Sequence, residues 1–229
     1  MTLFNRVFLP ELQFDLSDET TESGRSYVTP DGHKYPSVTT ILKPYNMKAI
    51  MEWRERVGAE EAKRISGHAS RRGTKLHKLC EDYLLGELTQ FKVMKLMPFD
   101  KMMFGQMRPL LDKHVNNVYC IEQALYSHSL RIAGRVDLIA EWDGELAVID
   151  FKSATKEKKE ENITNYFMQC SAYCEMFGDI TGKPINKIVV AIANEEQMPQ
   201  VFVKDKEPYL PELHKYVNKY WKKHERNSY

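Results

Sequence analysis

The stretch GRVDLIAEWDGELAVIDFK, residues 134–152, contains the pattern that decides the fold. Two β-prone runs flank the Asp-Gly pair at 143–144, which is preferred in a two-residue type I′ hairpin loop. With that loop, the register places Asp137 opposite Asp150, so that both side chains project on one face with Cβ atoms ~5 Å apart. Lys152 lies two positions further along and shares this face. The hairpin therefore predicts one cluster of two carboxylates and an ammonium.

Such a cluster is unfavourable as a purely structural arrangement. Like charges that face each other across a ladder are destabilising, and the strand at 145–152 is otherwise largely apolar. A divalent cation between the carboxylates would remove the repulsion, and oxygen ligands suit Mg²⁺, Mn²⁺ or Ca²⁺. A lysine beside such an ion can position or activate water and stabilise charge on a phosphate. The pattern predicts metal-assisted phosphodiester hydrolysis; the alternative is a plain surface ion pair between Lys152 and Asp150.

With these residues the chain resembles the PD-(D/E)XK nucleases. It is most similar to their RecB-like exonuclease branch, which includes a mitochondrial genome maintenance exonuclease and phage relatives. Residues 73–81 (GTKLHKLCE), 134–137 (GRVD) and 169–173 (QCSAY) resemble three further motifs of that branch. Residues 36–42 resemble its opening segment, and the resemblance spans about residues 35–195.

The resemblance implies a role for each site residue. The predicted metal ligands are His77, Asp137, Asp150 and the backbone carbonyl of Phe151, and the predicted catalytic residues are Asp137, Asp150, Lys152, Gln169 and Tyr173. Glu81 follows His77 by one helical turn and would fix the tautomer of its imidazole. Gln169 and Tyr173 share a helix face and would contact the DNA backbone or Lys152. The alternative for Tyr173 is a place in the core, and Glu122 is interpreted as a structural residue that pairs with Arg135.

Basic residues near both motifs predict the substrate contact. The predicted DNA-binding residues are Arg71, Arg72, Lys75, Thr155 and Lys156. Because the net charge is only +1, any binding of nucleic acid must depend on such a local patch, and its affinity would fall with salt. The alternative is a solvated helix face and a charged loop.

Composition narrows the class of protein. The chain has 229 residues, 42% of them hydrophobic, which is too apolar for a disordered chain. No run approaches the ~20 apolar residues of a membrane span. The cysteines at 80, 120, 170 and 174 form no Cys-x-x-Cys pair, so buried free thiols are expected, with a metal pair at 170 and 174 as the alternative. No signal sequence is visible, and we expect an intracellular protein of the cytoplasm, in a bacterium or a phage-infected host.

The order of helical and β-prone segments predicts an α+β (mixed α/β) fold. We expect a restriction-endonuclease-like αβββαβ core with an N-terminal helical segment. Residues 1–25 are interpreted as a mobile arm and residues 26–229 as a single nuclease domain. Within it, 26–117 would form a hairpin and helices, and 118–229 the catalytic sheet and its helices. Helix breaks are predicted near Gly58, near Gly67 and at 97–98.

The resulting prediction is a metal-dependent DNA exonuclease. By resemblance it would hydrolyse phosphodiester bonds at single-stranded DNA ends in replication, recombination or repair, with a replication or recombination protein as a possible partner and no membrane partner. The alternative is a non-catalytic protein that keeps the nuclease fold and binds nucleic acid or supports an assembly.

Overall fold

The computed structural model describes residues 4–225 as two sheets with helices packed around them. In chain order the strands are β1 (Ser17–Thr21), β2 (Gly24–Val28), β3 (Lys34–Pro36), β4 (Val115–Ser127), β5 (Ile132–Trp142), β6 (Glu145–Ala154), β7 (Lys187–Asn194) and β8 (Gln200–Asp205). The α-helices are α1 (Val38–Leu42), α2 (Met47–Val57), α3 (Ala59–Leu84), α4 (Gln90–Met94), α5 (Pro98–His114), α6 (Thr164–Thr181) and α7 (Leu210–Glu225).

The larger sheet has the strand order β4-β5-β6-β7-β8. Its first three strands are antiparallel, and β7 then lies parallel to β6. Parallel neighbours need a crossover, and α6 supplies it. One face of the sheet packs against α6, and the other packs against α3 and α5, so buried apolar side chains form a separate core on each face. This arrangement confirms the predicted mixed αβββαβ fold.

The β5–β6 hairpin has the predicted register. Asp143 and Gly144 have φ values of 53° and 80°, which is the left-handed backbone that a type I′ loop requires at both positions. The ladder starts at the pair Trp142–Glu145 and runs in register away from the loop. The residues of the turn and the alternation of side chains along the strands therefore fix the positions of Asp137, Asp150 and Lys152.

Helix α3 is longer than the sequence pattern predicts. The predicted break at Gly58 is confirmed by its φ of 85° at the boundary of α2 and α3, and α5 begins at Pro98 as expected. The predicted break at Gly67 is wrong, because α3 continues through it. A glycine inside a helix costs only about 1 kcal/mol, and the buried side chains of Leu76 and Leu79 anchor the helix on the sheet.

The segment interpreted as a mobile arm packs against the rest of the chain. Strand β1 joins β2 and β3 in a small antiparallel sheet, and Leu9, Leu12 and Leu16 are buried. The ring of Phe4 meets that of Tyr83 edge-on, with centroids 5.8 Å apart. The cover over these apolar side chains opposes a mobile arm at residues 4–25, and the division at residue 25 stays a prediction; residues 1–3 lie outside the described residues. The single-domain organisation of 26–229 stays a prediction.

The cysteines at 80, 120, 170 and 174 are buried free thiols, as expected. Burial raises the pKa of the Cys170 and Cys174 thiols well above the ordinary value, which opposes the thiolate that a metal pair would need. Among the described helices, none has the length and apolar character needed to cross a membrane.

Candidate active site

The predicted cluster lies where β5 and β6 stop pairing. The last pair of their ladder is Leu138–Ile149. Beyond it, the Phe151 N–H donates to Asp137 Oδ2 at 2.8 Å. A carboxylate oxygen thus takes the place of a backbone acceptor and fixes the Asp137 side chain between the two strands.

Asp150 and Lys152 form a buried ion pair. Lys152 Nζ donates to Asp150 Oδ1 at 2.6 Å, and Asp150 is only 2% exposed. The ammonium also lies 5.0 Å from the ring centroid of Tyr166 on α6. Asp150 Oδ2 is buried and also contacts the Lys152 ammonium, although this contact lacks the geometry of a hydrogen bond. A plain surface ion pair, the alternative considered above, is therefore wrong.

His77 reaches this cluster from α3. Its Nδ1 lies 3.3 Å from Asp137 Oδ1, and its ring meets that of Phe151 edge-on. The predicted contact with Glu81 is wrong: Glu81 instead accepts a hydrogen bond from Lys78 at 3.0 Å. Lysine three positions away on the same helix is a ready partner for this carboxylate, whereas His77 faces the carboxylates of the sheet.

Glu122 belongs to this charged cluster, although the sequence pattern indicated a structural residue that pairs with Arg135. The pairs on either side of it in the β4–β5 ladder place it opposite Asp137, and its Oε1 lies 3.9 Å from His77 Nδ1. Arg135 donates to the backbone carbonyl of Glu122, at 2.5 Å, so the expected pairing with the carboxylate is wrong. One ligand atom from each of His77, Glu122 and Asp137 lies within 4.8 Å of the others.

The backbone at Glu122 is strained. Its φ is 47° inside a strand, a left-handed conformation that costs a non-glycine residue about 1–3 kcal/mol. Strain of this kind concentrates at functional sites, where it aims a side chain. The sequence does not predict the position of Glu122 opposite Asp137. The loop before β5 spans residues 128–131, and a loop of that length does not dictate one register.

The titratable groups of the cluster shift one another's pKa. Burial alone would lower the pKa of His77, but the Asp137 and Glu122 carboxylates raise it to about 10. Burial would raise the pKa of Asp137, yet His77 and Lys152 hold it below its ordinary value. Burial raises the pKa of Asp150 to about 6. The nearby Lys152 ammonium lowers this pKa, and the Asp137 carboxylate raises it further. Without a metal ion, His77 is therefore an imidazolium.

The donor set fits a divalent cation. Carboxylate oxygens from Glu122, Asp137 and Asp150 with an imidazole from His77 suit Mg²⁺ or Mn²⁺. The buried Oδ2 of Asp150 contacts the Lys152 ammonium without a hydrogen bond of regular geometry, so this oxygen keeps acceptor capacity for an ion. Ligation at His77 would release its proton. The backbone carbonyl of Phe151 stays a predicted ligand.

Gln169 and Tyr173 lie together on α6. Gln169 Nε2 donates to Tyr173 Oη at 3.5 Å, and Tyr173 is only 3% exposed. A Cβ at Gly134 would lie 2.9 Å from the Tyr173 ring, which explains the glycine in the GRVD motif. The burial of Tyr173 favours the core alternative, and the catalytic roles of both residues stay predictions.

Arg72 does not face a substrate. Its guanidinium donates to Ser153 Oγ and Thr155 Oγ1, each at 3.0 Å, and pairs with the carboxylate of Glu195. The residue is 8% exposed, so the prediction that it binds DNA is wrong; it ties α3 to the ends of β6 and β7. The remaining predicted contacts, at Arg71, Lys75, Thr155 and Lys156, are exposed and stay predictions.

Arg72→Met is expected to lower the free energy of unfolding by about 3–5 kcal/mol, because removing one member of a buried ion pair leaves the other uncompensated. Urea denaturation measures this loss. The matched control is Arg71→Met, an exposed neighbour for which we expect a change within about 0.5 kcal/mol. Equal stability of the two variants would contradict the structural role of Arg72.

Among the comparisons with known proteins, a family match supports this site. The sequence model of the PD-(D/E)XK nuclease superfamily matches residues 44–227. No curated protein matches the chain significantly. A solved structure from Eubacterium rectale, provisionally named an exonuclease, aligns at 15% identity with a TM-score of 0.46, over 64% of this chain and 63% of its own length. The chain thus spans less than two thirds of that protein.

A second solved structure, the protein SSO0001, aligns at 14% identity over 79% of this chain and 73% of its own, with a TM-score of 0.34. Both likenesses are too distant to carry an argument, so the assignment depends on the family match. That match covers most of the sequence and includes all the residues of the charged cluster. The chain belongs to the PD-(D/E)XK nuclease superfamily.

Proposed function

We propose that the chain is a metal-dependent DNA exonuclease of the RecB-like branch, acting at single-stranded DNA ends. The observation that carries the proposal is the cluster of Asp137, Asp150 and Lys152, joined by His77 and Glu122, in an otherwise apolar sheet. Burying such charges is costly. Binding of a metal ion would offset this cost, because the ion neutralises the facing carboxylates.

We assign the metal to His77, Glu122, Asp137 and Asp150, and we favour Mg²⁺ or Mn²⁺. When bound, the ion would polarise the phosphate and lower the pKa of a bound water. The carboxylates supply the charge that keeps the ion in place. The burial of Asp150 strengthens its electrostatic contacts.

Lys152 would act as a cation that positions the attacking water. Burial alone would lower its pKa, but Asp150 and Asp137 raise it above the ordinary value, so the ammonium stays protonated near neutral pH and is not the base. In the hydrolysis, the water oxygen bonds to phosphorus, one P–O ester bond breaks, and the departing oxygen takes up a proton. Lys152 would stabilise the negative charge that grows on the phosphate.

Exposed cations beside the cluster supply the proposed path for DNA. Arg71 and Lys75 lie on α3 near His77, and Lys156 follows β6 with its side chain 75% exposed. Such residues contact phosphates without reading bases, which suits an enzyme that acts on any end. The proposed setting is intracellular DNA replication, recombination or repair, with a protein partner from one of these pathways.

A cleavage assay tests the function. End-labelled single- and double-stranded DNA is incubated with Mg²⁺, with Mn²⁺ and with EDTA. We expect cleavage with either ion and none in EDTA, and a product ladder that starts at one end of the single strand. Salt-sensitive binding without cleavage under any condition would overturn the proposal in favour of the non-catalytic alternative.

Glu122→Gln is expected to weaken Mn²⁺ binding by about 10-fold or more, because the site loses one of its negative charges while the shape of the side chain is kept. Isothermal titration calorimetry of the full chain measures the affinity. The control is Glu145→Gln, an exposed glutamate at the start of β6. Unchanged affinity in Glu122→Gln would remove this residue from the ligand set.

A further inference from the structure

A second cluster of potential ligands lies away from the nuclease site. Asp31 and His33 belong to the turn between β2 and β3, and His128 belongs to the turn between β4 and β5. One ligand atom from each lies within 4.8 Å of the other two. The cluster shares no residue with the carboxylates and the imidazole of the nuclease site.

The spacing of these atoms suits a tetrahedral ion. Asp31 Oδ2 lies 3.0 Å from His33 Nδ1 and 3.6 Å from His128 Nε2. In a tetrahedral site with bonds of about 2.0–2.1 Å, neighbouring ligand atoms stand about 3.3 Å apart. These two separations bracket that value, and the ligand atoms of the two imidazoles lie within 4.8 Å of each other.

Neighbouring side chains hold these groups in place. The Thr29 hydroxyl, which is buried, donates to Asp31 Oδ1 at 2.5 Å and accepts the His33 backbone N–H at 2.9 Å. The Tyr35 hydroxyl lies 2.8 Å from His128 Nδ1, which leaves Nε2 facing Asp31. Histidines that ligate metals usually bond an oxygen through their other ring nitrogen in this way.

We propose that Asp31, His33 and His128 form a second metal site, for Zn²⁺ or a transition-metal ion of similar preference. Two imidazoles with one carboxylate suit Zn²⁺, whereas a set dominated by carboxylate oxygens, such as that of the nuclease site, suits Mg²⁺ or Mn²⁺. Three protein ligands leave a fourth position for water. The side chains of Asp31, His33 and His128 are 51%, 59% and 49% exposed, so an ion can enter from solvent.

The bound ion would join two separate parts of the fold. The β2–β3 turn belongs to the small N-terminal sheet and the β4–β5 turn to the catalytic sheet. An ion that binds only the folded arrangement stabilises it by mass action. The site would therefore fasten the N-terminal sheet to the nuclease core.

Calorimetric titration of the full chain with ZnCl₂, in saturating MgCl₂, tests the proposal. We expect His33→Gln and His128→Gln each to weaken Zn²⁺ binding at this site by about 10-fold or more. His77→Gln, which alters the nuclease site, should retain the binding, as should His214→Gln, an exposed histidine on α7. Thermal melts in EDTA verify that the variants are folded.

A second readout does not depend on calorimetry. ZnCl₂ should raise the melting temperature of the wild-type chain and of His77→Gln, and Co²⁺ in the same site should show the strong visible absorption of tetrahedral coordination. Zn²⁺ affinity that is the same in wild type, His33→Gln and His128→Gln would overturn the proposal. Binding that is lost only in His77→Gln would overturn it as well, because the ion would then belong to the nuclease site.

Discussion

Lys152→Ala is expected to lower kcat for metal-dependent DNA cleavage by about 10²–10³-fold. The ammonium is the cation that lies against Asp150, inside the cluster and only 20% exposed. In such a low-dielectric setting, a charge aimed at the reacting phosphate is worth much more than in water. Metal-dependent cleavage of end-labelled single-stranded DNA measures the loss.

Two other lysine variants separate catalysis from binding. Lys156→Ala is expected to raise KM and reduce the salt dependence of binding with little change in kcat, because this exposed lysine contacts phosphate alone in the proposal. Lys215→Ala, on α7 with its side chain 69% exposed, should behave as wild type. A Lys152→Ala enzyme that is folded by circular dichroism and cleaves at the wild-type rate would contradict the proposed role.

Asp150→Asn is expected to abolish cleavage and yet stabilise the metal-free protein at neutral pH. The carboxylate is a proposed metal ligand, and an amide is a poor replacement. In the absence of metal the ionised carboxylate is unfavourable: burial, and secondarily the repulsion of Asp137, raise its pKa to about 6. Burial of Asp150, more than the repulsion between the facing carboxylates, is thus the main cause of the expected gain in stability.

The pH dependence of this stability change has a definite sign. The folded pKa of Asp150, about 6, lies above the value of about 3.9 for an unfolded chain. Its contribution to stability is therefore complete below about pH 4 and is lost as the pH rises through about 6. The advantage of Asp150→Asn over wild type should grow over that range to at most about 3 kcal/mol, the equivalent of two pKa units.

Urea denaturation in EDTA at pH 4 and at pH 7.5 measures this difference. Asp143→Asn, at the exposed hairpin loop, is the matched control and should show no comparable growth with pH. A clear destabilisation of Asp150→Asn at pH 7.5, in EDTA, would mean that its pairing with Lys152 outweighs its burial, and would contradict the electrostatic account of the cluster.

The local part of the site follows from the sequence. The Asp-Gly loop at 143–144 sets the register of β5 and β6, and a period of two then places Asp137, Asp150 and Lys152 together. These are interactions between residues close in the chain. Turn chemistry and strand alternation decide them without contacts from the rest of the fold.

Long-range contacts decide which partners each side chain takes. From the sequence, Arg72 and Arg71 are equivalent cations, but the rotation of α3 against the sheet buries the first beside Glu195 and leaves the second in solvent. Glu81 shares a helix face with His77 in the sequence pattern, yet it pairs with Lys78. Helical periodicity predicts which residues share a face of one helix. It does not predict which side chains of neighbouring strands and helices that face will contact.

The sequence by itself therefore determines the β5–β6 hairpin, the superfamily signature and the mixed αβββαβ order, because these depend on short-range turns and periodic patterns. Only the tertiary structure brings Glu122 opposite Asp137, packs residues 4–25 on the domain, and joins His128 to Asp31 and His33. Each of these depends on the pairing or packing of segments far apart in the chain. Such contacts are selected by the burial of whole faces, which no short sequence pattern encodes.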